Sequence, residues 1–162
     1  MIGHGFNPPY PPFDKGGWRS RGDFVTHHSS RIWHPVSEEL PKERNVLGGP
    51  LLACSYDPVT GYFRDGCCAT HDEEEVFHLV CVRVTAEFLE YSRDRGNDLI
   101  APRPEMRFRG LKPGDRWCLH VLRWIEAWEA GQAPRVVLEA THERVLKFAP
   151  LSALKRHALD LH

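Results

Sequence analysis

Two adjacent cysteines, Cys67 and Cys68, close a twelve-residue stretch in which Asp57-Pro58, Thr60-Gly61 and Asp65-Gly66 mark turns. A thiol reacts as its thiolate, and a guanidinium such as that of Arg64 or a helix N-terminus favours that form. Cys67 or Cys68 is therefore a candidate nucleophile or redox centre, Cys68 being the one placed in the catalytic set, weighed against two small residues turning a corner into the core. A second set is Glu139-Ala140-Thr141-His142-Glu143, where an apolar run ends. There His142 could act as general base with Glu143 as its orienting carboxylate, and Cys68 or Asp65 as partner. The competing reading is local: Thr141 caps a helix and Glu143 favours its dipole. A zinc-protease helix is excluded, because position 146 is Leu146 and not a second histidine.

Metal chemistry has two possible ligand sets. Cys68 with His71, and His78 with Cys81, each space two zinc-type ligands by two residues, the spacing of a zinc knuckle. Alternatively Cys54, Cys68, Cys81 and Cys118 could bind zinc if the fold gathers them. Against both, Cys81 lies within an apolar run, where a thiol is usually packing. The expectation is no cofactor, with zinc through these cysteine and histidine residues as the alternative.

Charged side chains in turns make a third set: Arg64, Asp65, Arg103, Glu105, Asp115 and Arg116. Polar residues on loops around a rigid sheet build pockets for small ligands, and arginine's planar fork suits carboxylate or phosphate. The same residues could instead brace one another. If one pocket held both Arg116 and His142, a ligand site would follow; on opposite faces they would not make one.

The elements that must position these groups are partly legible. The chain has 162 residues, a formal net charge of -1, 41% hydrophobic and 27% charged residues, and five cysteines. That is one soluble domain's worth, without the basic footprint that nucleic acid or an anionic membrane requires. No apolar run approaches the roughly twenty residues of a membrane span, and no signal peptide is legible, so a cytoplasmic protein with reduced thiols is expected.

Residues 1–44 are Pro-rich and aperiodic, and read as an N-terminal extension, either disordered or lying upstream of a natural start near Val36. Residues 45–162 read as a single globular domain. Residues 62–64 predict a short strand. Residues 77–84 predict a strand covered on both faces, followed by a helix capped by Thr85 and stopped at Gly96-Asn97. Residues 116–122 and 135–140 predict further strands. Trp124, Ile125 and Trp128 mark a helix ending at Gly131, Thr141 caps another with Val145 and Leu146, and Leu151, Leu154 and Ala158 mark a last one. The helices are short and the 96–115 connection is long. The expected fold is therefore α+β, a small mixed sheet of three to four strands with three to four short helices; small α/β is the alternative.

Several of these segments resemble one bacterial family: Asn45-Val46-Leu47-Gly48, the Asp57–Cys68 stretch, Arg95-Gly96-Asn97-Asp98-Leu99, Pro102-Arg103-Pro104-Glu105, the stretch from Gly110 to Cys118, and Val137 to Glu143. This is the domain of unknown function 2237 family, and the resemblance covers about residues 45–158. It implies a small bacterial-type domain, and its name assigns no activity. After Thr70, where the family pattern has a Gly-Pro-Glu-Asp-like linker, this chain reads His71-Asp72-Glu73-Glu74-Glu75. The combined reading is a cytoplasmic domain for a small polar or anionic ligand. The alternatives are a structural or protein-interaction domain, and a structural zinc domain.

Overall fold

The structure is a computed structural model and describes residues 43–161. Residues 1–42, and with them nearly all of the expected extension, lie outside the described residues. Glu43 and Arg44, counted with the extension above, are part of the fold: Glu43 bonds to Thr70 and His142, and Arg44 pairs with Pro50.

Three strands form one antiparallel sheet in the order β2-β1-β3: β1 is His78–Arg83, β2 Arg116–His120 and β3 Arg135–Val136. The near-continuous apolar run of β1 makes it the central strand, and its first five residues are buried. Three helices complete the α+β fold: α1 (Ala86–Asp94), α2 (Val121–Glu129) and α3 (Leu151–Arg156). Thr85 caps α1, its Oγ1 accepting from the amide of Phe88, and Phe88, Leu89 and Ser92 form the buried face. His120 ends β2 and caps α2 through Nδ1, so the strand passes into the helix without a loop. Val80 and Val82 alternate with Cys81, and across the strand pair Leu119 and Trp117 alternate with Cys118. The sheet thus has an aliphatic–aromatic row and a cysteine row on opposite faces. Helix α2 packs on β1 and β2, and its Trp124 is fully buried, donating Nε1–H to the carbonyl of Pro134.

Several expected elements take another form. Residues 62–64 form turns, because Gly61 and Arg64 both have positive φ, 100° and 56°. A Cβ on Gly61 would stand 2.3 Å from the carbonyl oxygen of Cys67, so the loop can close on itself only with glycine there. The third strand is two residues long, and Leu138–Ala140 is a 3₁₀ turn. Thr141 does not cap the next segment: its hydroxyl donates to Val137 O and accepts from the amide of Cys81. His142 caps the 3₁₀ helix Glu143–Lys147 instead. Buried Asn45 ties residues 43–52 to this region: its amide donates to the carbonyls of Pro50 and Glu139, and its oxygen accepts from Leu47 and Gly49. No helix among the described residues is long and apolar enough to cross a membrane.

Candidate functional site

Residues 59–68 run past β2, where buried Thr60 accepts the amide of Cys118, so the loop covers that strand's outer edge. This course carries Arg64 to Trp117: the guanidinium carbon lies 5.0 Å from the ring centroid, and one N–H donates to Val59 O. From the other side the 96–115 connection folds back on itself through paired bonds between Arg103 and Phe108 and through the 3₁₀ turn Pro104–Met106. Gly110 has φ 83°, and a Cβ there would meet Ile100 O at 2.2 Å, so this fold-back also requires glycine. Between the two loops lies a small, shallow cleft, partly open to solvent, lined by Arg64, Asp98, Leu99, Arg103, Met106, Phe108 and Trp117.

The cleft has an apolar floor and a charged rim. Phe108 and Trp117 touch ring to ring at 5.2 Å. Arg103 is half-buried, and its side chain has no hydrogen bond or ion pair to the described residues. Burial pushes the Asp98 carboxyl up, yet the amides of Ile100 and Ala101 and the charges of Arg103 and Arg93 outweigh it and hold it below the usual range. Asp98 is therefore ionised, and the lining carries two arginines and one carboxylate.

Two of the six ligand residues expected from sequence, Arg64 and Arg103, meet here. Asp65 instead accepts from His71 Nε2 at 2.7 Å and from the Cys67 amide. Asp115 pairs with Arg109 at 3.3 Å and accepts the amide of Lys112. Both brace their loops. Glu105 is exposed on the 3₁₀ turn, and Arg116 is exposed at the head of β2. Arg116 and His142 share no cleft: Arg116 pairs with Arg83, whereas His142 bonds to Leu79 O at the other end of β1. Asp98 stands in one of the charged turns that the sequence marks, and the lining residues that sequence reasoning missed are Leu99, Met106, Phe108 and Trp117. Only Trp117 carried a signal, since alternation with exposed Arg116 turns it inward.

The residues considered for catalysis are each engaged in another role. His142 Nδ1 accepts the Arg144 amide, so its ring proton sits on Nε2 and is donated to Glu43, not Glu143. Both nitrogens are engaged, and the ring is a buried cap with a fixed tautomer. Glu143 is exposed, 3.9 Å from Arg44. Cys68 is buried and disulfide-bonded to Cys118, so it offers no free thiol.

The expectation of five reduced thiols is corrected. Cys54 and Cys81 also form a disulfide, leaving Cys67 as the free cysteine. The fold brings the partners together from loop, turn and strand, with Cα separations of 5.7 Å and 5.3 Å. Burial, then the charges of Asp65 and Glu43, push the Cys67 thiol up, so it is protonated at neutral pH. The two-residue knuckle is not assembled, since His71 is exposed and turned to Asp65. Among the described residues, the metal-type donor set that converges is Cys54, Cys68 and Cys118, whose sulfurs lie within 4.8 Å of one another.

Residues 44–158 match the family described as uncharacterized protein conserved in bacteria, DUF2237, and the chain belongs to that family. No curated protein gives a significant match.

Proposed function

We propose that the protein is a binding domain for a small anionic ligand, held between Arg64 and Arg103 over the ring of Trp117. The observation that carries this reading is Arg103. It stands half-buried at the rim of an apolar cleft, with no hydrogen bond or ion pair to the described residues. A guanidinium so placed keeps its planar fork for a carboxylate or phosphate oxygen pair. Arg64 supports the reading from the opposite rim. Its left-handed backbone conformation is uncommon for a side-chain-bearing residue, and such outliers gather at ligand sites. Asp98 limits the charge, so the ligand class is a monoanion with a small apolar or planar body that can lie on Phe108 and Trp117. The cleft's size limits that body to a few heavy atoms.

The test is calorimetric titration of the full chain with short carboxylates, aryl carboxylates and phosphate monoesters. A binder should lose at least about tenfold in affinity, about 1.4 kcal/mol, in Arg103→Ala, and recover only in part in Arg103→Lys. Equal affinity in Arg103→Ala, or no binding of any member of the series, rules the cleft out as the site.

A further inference from the structure

We propose that Cys54, Cys68, Cys81 and Cys118 form a tetrathiolate site for a zinc-type divalent ion when the chain is reduced, the two disulfides being its oxidised state. The tetrathiolate site does not rest on the anion-cleft reading. Four cysteines from separate segments converge on one buried point, closed over by Val137 and Ala140. Disulfides stabilise by closing loops, and nothing in that role asks two of them to lie side by side. A metal does ask it. A tetrahedral zinc with Zn–S near about 2.3 Å needs sulfurs roughly 3.8 Å apart. Here the sulfurs of Cys54, Cys68 and Cys118 already lie within 4.8 Å of one another, and Cys81 is bonded to Cys54 and directly opposite Cys118 in the strand pair. Once the two S–S bonds are broken, side-chain rotation that also brings in Cys81, whose sulfur stands outside that set of three, would turn the pairs into a tetrahedron.

The backbone is held independently of the sulfur chemistry. The amide of Cys54 donates to Gly66 O, that of Cys81 to Thr141 Oγ1 and that of Cys118 to Thr60 Oγ1. Breaking both disulfides leaves these three anchors in place, so Cys54, Cys81 and Cys118 stay positioned for a ligand, and the metal draws Cys68 in to complete the set. Each disulfide takes two electrons and two protons, from a dithiol that leaves as its own disulfide or from a phosphine and water that leave as the phosphine oxide. The four thiols then release up to four protons as one divalent ion binds.

The test uses the full chain, reduced under argon with a phosphine, freed of reductant and titrated with Co²⁺ and then Zn²⁺. One equivalent of Co²⁺ should bind with sulfur-to-metal charge-transfer and tetrahedral d–d bands, and one equivalent of Zn²⁺ should bleach them. Cys67→Ser should titrate identically, whereas Cys54→Ser and Cys118→Ser should bind at least a hundredfold more weakly. Alkylation mapping of the wild-type chain settles the matter if those variants fail to fold. Zinc should protect Cys54, Cys68, Cys81 and Cys118 and leave Cys67 labelled. The proposal is overturned by any of three results: substoichiometric binding to reduced wild type, protection of fewer than these four, or a reduced chain that unfolds and that neither metal refolds.

Discussion

His78 is a histidine that the fold keeps uncharged. Burial first, then the charges of His120 and Arg64, push its pKa down to about 3, and burial followed by Arg123 lowers that of its cross-strand neighbour His120. The unfolded chain binds these protons near pH 6.5 and the folded chain does not, so the histidines' contribution is complete above about pH 6.5 and fades as pH falls towards 3. The depressed carboxylates Asp98 and Glu126 add their own loss only below the ordinary carboxylate range. Urea unfolding should therefore show stability falling between pH 6 and 5, by up to about 1.4 kcal/mol per pH unit from His78, with His120 acting in the same direction. His78→Gln should flatten that slope, and an unchanged slope would show that His78 protonates freely in the fold. Cys67 supplies a second residue-level expectation. In the oxidised chain it alone should be alkylated, slowly at pH 7, and Asp65→Asn should accelerate it by removing a charge that disfavours the thiolate. Equal rates in the two proteins would remove Asp65 as a cause. The sequence singled out Arg64, Arg103 and the cysteines by type, but it could not distinguish Cys67 from Cys68. That difference is which sulfur meets Cys118 across the fold.

Helices and strands were legible where the pattern was local. Thr85, Phe88, Leu89 and Gly96 are enough to define α1, and the unbroken apolar run of β1 announces the central strand. Residues 137–147 were not legible, because long-range partners decide them: Thr141 bonds to Val137 and Cys81 rather than capping, and His142 is oriented by Glu43. The same sheet contains one costly arrangement. Arg116, Arg83 and Arg135 stand in one register row across β2, β1 and β3, all exposed and on one face. Like charges directly opposite are unfavourable, each such pair on the order of a few tenths of a kcal/mol. Arg83→Glu places an acid between two arginines, and should raise stability by roughly 0.5–1 kcal/mol at low salt, the gain shrinking at 1 M NaCl. Chemical denaturation at both salt concentrations checks it; a variant less stable than wild type at low salt would show that Arg83 is held by an attraction the row does not reveal.

At the scale of the molecule, the cysteine cluster and the cleft are joined by two short stretches of chain. Cys68 lies four residues beyond Arg64, and its disulfide partner Cys118 follows Trp117, so one covalent link fixes the arginine's loop against the ring beneath it. The links close stretches with sequence separations of 27 and 50. In the chain-entropy account loops of this size stabilise by about 3.5 and 4 kcal/mol, so reduction alone should lower the melting temperature substantially. The expectation specific to this fold concerns the cleft. If the reduced cysteines hold a metal, zinc performs the same tethering as the disulfide. Anion affinity should then fall on reduction, by tenfold or more as Arg64 leaves the Trp117 face, and return when one equivalent of Zn²⁺ is added. Titrating the ligand identified by the Arg103 experiment into oxidised, reduced and zinc-loaded protein measures all three states. Tryptophan fluorescence follows the departure of Arg64 independently. Unchanged affinity on reduction would mean that Thr60 and the loop's own backbone bonds hold Arg64 in place without the sulfur link.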